Sequence, residues 1–299
     1  MRRAVIAWAL VTGLLAAVPS AGAAEDSLIV GFDNDLLVST DRYYTSGLFL
    51  GAGYRDGPLR IRVLVGQEIY TPRYIEIAED QVFDRPWAGF LYARGSVIHT
   101  EADRAVGGGV RLGVVGPAAL AEQVQELAHM IVPADEPTGW PHQLSNRPAI
   151  EAWAGYAAQV RVDLGTEFGL RLASGLGVEV GSVRNRLTLS ATIDIGLHLE
   201  DGVSFDIREP VVVADRGTSG LRIYLSLGGV VRVTVTDLFV DGANEQPLGL
   251  RPLSGVFRPG LVFAYDNVQL GLRYSLRSKV FAAQTASAHY GSADLEIGF

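Results

Sequence analysis

The chain has 299 residues, 48% of them hydrophobic, a formal net charge of -8 and no cysteine. The missing cysteines exclude a disulfide framework, a thiolate nucleophile and a Cys-ligated zinc, and the negative balance argues against nucleic acid as a partner. Mean hydropathy is positive, yet no later segment offers the 18 or so consecutive apolar residues of a membrane helix.

The chain opens with Arg2 and Arg3, an apolar run from Ala4 to about Val18, and the small residues Ala21 and Ala23. This is the layout of a secretory signal peptide over 1–23, leaving 24–299 as the mature domain. An exported, apolar chain without a spanning helix points to a β-barrel, whose alternating strands hide their apolarity. The 35 glycines fit closely spaced turns and crowded positions.

Alternation runs through the mature chain. In 187–199, Leu187, Leu189, Ala191, Ile193, Ile195, Leu197 and Leu199 share one face, against Thr188, Ser190, Thr192, Asp194, Gly196 and His198. Segments 168–180, 221–235 and 268–276 repeat the pattern, and period two over this length matches a tilted strand crossing a bilayer. The last strand puts Gly291, Ala293, Leu295, Ile297 and Phe299 on one face and stops on the aromatic residue.

The pattern predicts about 12 antiparallel strands, at 26–37, 44–55, 58–70, 88–100, 103–115, 149–163, 166–182, 185–200, 218–236, 253–266, 267–281 and 287–299. An even count puts both termini in the periplasm. Loops 38–43, 71–87, 116–148 and 237–252 then lie outside, and tight turns such as Arg55-Asp56-Gly57 lie inside. The connection at 201–217 breaks this rule, so either a strand is miscounted there or one inner loop is long. Within 116–148, a stretch opened by Pro117 and ended by Pro133 carries Leu120, Val124, Leu127 and Ile131 at helical spacing. The predicted fold class is therefore all-β: a transmembrane antiparallel barrel with a short helix in an extracellular loop.

Two places carry candidate chemistry. The first is D-N-D-L-L-V-S-T-D-R-Y-Y-T-S-G over 33–47, where Asp33 and Asp35 share a strand face and Asn34 opposes them. Its carboxylate and amide oxygens suit a hard cation such as calcium, or form a solvated Asx-rich mouth. The second is the loop helix, where Gln125 and His129 stand four apart on one face. A histidine there can take a proton from water, and a neighbouring cation can hold a developing oxyanion. His99, His142, His198 and His289 are weaker candidates, with His198 expected in the lumen. The sequence has no G-x-S-x-G, H-E-x-x-H, Walker or dinucleotide motif.

Seven segments in order resemble the lipid A 3-O-deacylase family of Gram-negative outer membranes. They are N-D-L-L-V-S-T-D-R-Y-Y-T-S-G (34–47), I-Y-T-P (69–72), D-R-P-W-A-G-F-L-Y (84–92), G-V-V-G-P (113–117), A-E-Q-V-Q-E-L-A-H (121–129), G-W-P-H-Q-L (139–144) and, more weakly, L-F-V-D-G-A-N (238–244). The resemblance implies a twelve-stranded barrel and a calcium-dependent hydrolase that releases the 3′-linked acyloxyacyl chain from lipid A. It implies His129 as general base, Asp35 as calcium ligand, and Asn34 as a residue orienting metal or substrate. The family's lysine has no counterpart in the N-terminal half, where Arg73 or Arg85 would supply the phosphate contact. Thr40 and Thr45 lie near the position of the family's threonine. The expected location is the outer membrane, with the site facing the cell exterior and lipopolysaccharide as substrate. Two other readings stay open: a non-catalytic barrel, whether small pore or structural protein, and a phospholipase.

Overall fold

In the computed structural model, which describes residues 25–35, 43–131, 135–200, 202–215, 220–242 and 248–299, twelve strands close into an antiparallel barrel. They are β1 (Glu25–Asn34), β2 (Tyr43–Asp56), β3 (Leu59–Thr71), β4 (Ala88–Thr100), β5 (Arg104–Val115), β6 (Arg147–Asp163), β7 (Phe168–Gly181), β8 (Arg184–Leu197), β11 (Leu221–Asp237), β12 (Leu253–Tyr265), β13 (Val268–Arg277) and β14 (Ala288–Gly298). Two further strands of three residues, β9 (Val203–Phe205) and β10 (Val212–Ala214), form a separate hairpin. All twelve predicted wall strands are found, with ends displaced by a few residues. The expected export segment 1–23 and Thr40 lie outside the described residues.

Closure comes from β1 pairing with β14, from Ser27 opposite Gly298 to Asn34 opposite Gly291. Asp26 and Phe299 exchange backbone hydrogen bonds of 3.2 and 2.9 Å below it. A closed ring leaves no sheet edge, and only a closed ring can sit in hydrocarbon with its backbone satisfied. The alternation then decides the faces. On β8, Leu187, Leu189 and Ile193 are exposed on the outer wall, whereas Arg186, Thr188 and Asp194 are buried inside. Transfer of each such outer side chain from water to lipid contributes about 1.5–3 kcal/mol.

The lumen is laced with ion pairs: Arg171 with Asp194 at 2.9 Å, Arg111 with Glu151 at 2.9 Å, Arg184 with Glu68 at 3.1 Å, and Arg186 with Glu179. Arg171, Glu179 and Asp194 all point inward, and each is paired with a residue of the neighbouring strand.

The long connection at 201–217 adds no wall strand, and its described residues are 202–215. It turns back into the barrel as the β9–β10 hairpin. Phe205, buried, meets Trp153 of β6 edge to face at 5.5 Å. At the tip, Arg208 reaches Asp33 of β1 and Asp294 of β14, and Glu209 reaches Arg186, Arg232 and Arg258 of β8, β11 and β12. His198 differs from expectation. Strand β8 ends at Leu197, and His198 lies exposed in the following turn at φ 51°, outside the lumen.

The opposite end carries the loops. Pro117–Ala119 makes one 3-10 turn, Leu120 adopts a left-handed conformation at φ 59°, and α1 (Ala121–Ile131) follows. The predicted single helix is thus cut at Leu120, because the chain must turn there to lay Ala121 against the wall. A final short helix, α2 (Leu238–Asp241), is capped by Asp237, whose side chain accepts from Phe239 N.

Twelve strands stand between the barrels that side chains alone fill and those that leave a channel. The hairpin makes up the difference here. Replacing 203–214 by a short Gly-Ser linker is expected to turn a poorly conducting chain into an ion-conducting one in planar bilayers. Equal conductance of the two chains would count against the hairpin as the plug.

Candidate active site on the outer wall

Strand alternation separates two neighbours at the end of β1. Asp33 points inward, where it accepts from Tyr44 Oη at 2.8 Å and from Arg208 at 2.8 Å. Asn34 therefore points outward, continuing the lipid-side row of Val30 and Phe32. Asp35 follows in a bend, fully buried, its amide donating to Thr45 O at 3.2 Å.

The register extends this outward position round the wall. Asn34 pairs with Ser46, Ser46 with Ile69, and Ile69 with Gly89. Gly89 is where α1 lands: a Cβ on Gly89 would lie 2.4 Å from Ala121 Cβ and 3.0 Å from Ala119 Cβ. At about 4.8 Å per strand, Asn34 stands roughly 14 Å along the sheet from that contact. In the other direction the row continues to Gly291 and then Tyr274. Tyr274 Oη is hydrogen-bonded to Nδ1 of His289. One row on the lipid side of the wall thus runs from the base of α1 past Asn34 to a tyrosine–histidine pair.

The helix is fixed by apolar packing and two polar ties. Ile69, Ile75, Trp87, Ala121 and Trp140 form one buried cluster with Val124 against it. Gln67 Nε2 donates to Ala119 O at 2.6 Å, and Trp140 Nε1 donates to Gln125 Oε1 at 3.0 Å. Gln125 is accordingly buried. His129, one turn further on that face, is half-buried, and its Nδ1 lies 2.8 Å from Asp135 O. Of the apolar residues at helical spacing, Val124 packs on the wall cluster, whereas Leu120 and Leu127 are exposed.

Hydroxyl-bearing residues flank the strand end that holds Asp35. Thr45 is the extra residue where the β2–β3 register shifts between Tyr44 and Ser46, and its Oγ1 lies 2.7 Å from Thr71 Oγ1. Both threonines are buried. Among the described residues, no three His, Cys, Asp or Glu side chains gather as a metal cluster. A cation here would meet one carboxylate, an amide and hydroxyl or carbonyl oxygens. That set is hard in character and fits calcium rather than zinc.

The two arginines differ. Arg73 is half-buried, with one guanidinium nitrogen donating to Thr285 Oγ1 at 2.7 Å. Arg85 is enclosed, its guanidinium 4.8 Å from the centre of the inward-facing Tyr70 ring. Burial lowers its pKa to about 10. Both backbone amides donate to the carboxylate of Asp84, at 3.0 and 2.7 Å, which sets the turn between them. Sequence spacing offered no means of telling them apart, and it missed Tyr274 altogether, because the β14 register that aligns it with Asn34 spans most of the chain.

Comparison with known proteins agrees with this fold. The family described as outer membrane protein LpxR matches residues 6–299. Among solved structures, LpxR from Salmonella typhimurium superposes with a TM-score of 0.80 at 20% identity, covering 91% of this chain and 99% of its own. The beta domain of the Bordetella autotransporter Brka has a TM-score of 0.45 at 10% identity, covering 92% and 98%. The NanC porin has a TM-score of 0.41 at 6% identity, covering 91% and 98%. No curated protein sequence matches the chain. On the match over nearly its whole length, the chain belongs to the LpxR family of outer membrane proteins, the lipid A deacylase family that its motifs resemble.

Proposed function

We propose that this chain is a calcium-dependent outer-membrane hydrolase that removes the 3′-linked acyloxyacyl chain from lipid A. The observation that carries the reading is the shared outward row: Asn34 and the wall beneath α1 lie on the lipid side of the same few strands. A substrate lying in the leaflet meets that face without entering the barrel. The helix-bearing end then faces the cell exterior, where lipopolysaccharide lies.

In this reading His129 takes a proton from water. The water oxygen attacks the ester carbonyl carbon, the carbonyl–alkoxy bond breaks, and the proton passes to the leaving sugar oxygen. The products are a free fatty acid and a sugar hydroxyl. Asp35 and Asn34 would hold calcium, which supplies positive charge opposite the developing oxyanion. Arg73, the more accessible of the two arginines, fits a lipid A phosphate, and its planar fork suits that contact. The contact of His129 with Asp135 O fixes one ring nitrogen and so directs the other.

Of the non-catalytic alternatives the small pore has less support, since the β9–β10 hairpin lies across the lumen; a structural barrel is distinguished by showing no action on lipid A. A phospholipase is distinguished by offering glycerophospholipid and lipid A side by side.

His129→Ala and Asp35→Ala should each abolish release of the acyl chain, read by mass spectrometry of lipid A from expressing cells, while the barrel stays folded. Unchanged acylation with the wild-type chain would refute the enzyme. Chelation should stop the reaction and calcium restore it. Isothermal titration should show calcium binding in the wild type and not in Asp35→Ala; full activity in chelator would remove the metal from the scheme. Gly89→Ala places a methyl group into Ala121 and should lower activity by displacing α1, with barrel stability little changed. Activity equal to wild type would separate α1 from the chemistry.

A further inference from the structure

We propose that Arg208, carried into the lumen by the β9–β10 hairpin, is a positioning residue for the Asn34–Asp35 rim and acts through Asp33. The proposal rests on the deacylase reading of that rim.

Arg208 commits all three guanidinium nitrogens to carboxylates. Nε and one terminal nitrogen donate to the two oxygens of Asp206, each at 3.0 Å. That terminal nitrogen also donates to Asp294 at 3.1 Å, and the other donates to Asp33 Oδ1 at 2.8 Å. The guanidinium stacks 5.1 Å from the centre of the buried Phe49 ring. Asp206 belongs to the hairpin itself, so its forked pair makes Arg208 a rigid arm. The remaining two contacts are with the wall, one on each side of the β1–β14 seam.

Asp33 is held from two directions. Oδ1 takes Arg208, and Oδ2 takes the hydroxyl of Tyr44 at 2.8 Å. Tyr44 lies near the start of β2, so this bond ties together the strand that leads into segment 36–42 and the strand that leads out of it. The next residue after Asp33 is Asn34, facing the opposite way. Fixing the inward carboxylate fixes the peptide plane between them and hence the direction of the outward amide. Catalytic groups need placement to within about 0.5 Å, and an error of 1 Å costs on the order of a hundredfold.

Charge adds to the argument. Without the guanidinium, Asp33 and Asp294 face each other across the seam, where Asp33 pairs with Ser292 and Asp294 with Gly31. Arg273 still pairs with Asp294, but Arg208 is the cation bonded to Asp33. The rim nearest the candidate site is then the part that loosens. The rest of the hairpin keeps a separate latch, Glu209 with Arg186, Arg232 and Arg258 on the far wall. That second latch lets the positioning role be separated from plugging.

The test uses the full chain in detergent micelles with lipid A as substrate. It compares wild type with Arg208→Met, Arg208→Lys and, as a control for the hairpin as a whole, Glu209→Gln. Arg208→Met should lower kcat about ten- to a hundredfold with KM little changed, and retain the heat-modifiable gel mobility of a folded barrel. Hydrogen exchange should rise in peptides covering 30–35 and 43–47 and stay constant in α1. Arg208→Lys, which keeps the charge without the fork, should recover part of kcat. Glu209→Gln should lower the melting temperature and leave kcat close to wild type. The proposal is overturned if Arg208→Met matches an active wild type, or if Glu209→Gln lowers kcat as much as Arg208→Met does. A wild-type chain with no action on lipid A would instead bring down the deacylase reading, and this proposal with it.

Discussion

Adjacent side chains on a strand point to opposite sides, and at the end of β1 that rule divides the molecule's chemistry in two. Asp33 falls on the inside, among arginines, while Asn34 falls on the outside, among residues that meet lipid. A slip of one residue in the β1–β14 register would exchange them. The seam that closes the barrel, with Asn34 opposite Gly291 and Asp26 bonded to Phe299, therefore also fixes which groups a lipid in the leaflet can reach.

The two faces rest on different energetics. Outside, residues such as Leu189 and Val180 are stable only because hydrocarbon replaces water around them. Inside, arginine and carboxylate are stable only because each finds a partner. A buried charge that loses its partner costs several kcal/mol, whereas the intact pair contributes little net stability. The lumen network is better understood as a device for specifying one arrangement. Arg171 and Asp194 face each other across β7 and β8 in direct register, and Glu209 gathers arginines from three strands, β8, β11 and β12.

Much of this architecture was legible in the sequence. The strands were readable because lipid imposes strict alternation, and a closing aromatic residue marked the last of them. Asn34 and Asp35 stood out because clustered amide and carboxylate groups at a strand end are conspicuous. The hairpin was not legible, although Asp206, Ile207, Arg208, Glu209 and Pro210 form a charged turn between two short strands, Val-Ser-Phe and Val-Val-Ala. Three-residue strands fall below the length at which alternation is recognisable, and their partners are remote in sequence, such as Asp33 and Asp294. The break in α1 escaped for a related reason. Leu120 reads as a helix former, and only contact with Gly89 of a distant strand requires its left-handed turn. Arg73 and Arg85 lie in the same loop, and only burial distinguishes the half-exposed one from the one closed over Tyr70.

Among the described residues, the hairpin lies in the lumen between the end of β8 and the start of β11, which are neighbours in the wall with Leu197 opposite Ile223. The chain is therefore unthreaded, as protein connections almost always are. During biogenesis the wall can zip shut at its seam before the hairpin goes in, with no need to close around it. Arg208 and Glu209 need not enter the lumen until every carboxylate and guanidinium they will meet has been assembled. A hairpin that enters last meets all of its counter-charges already in place.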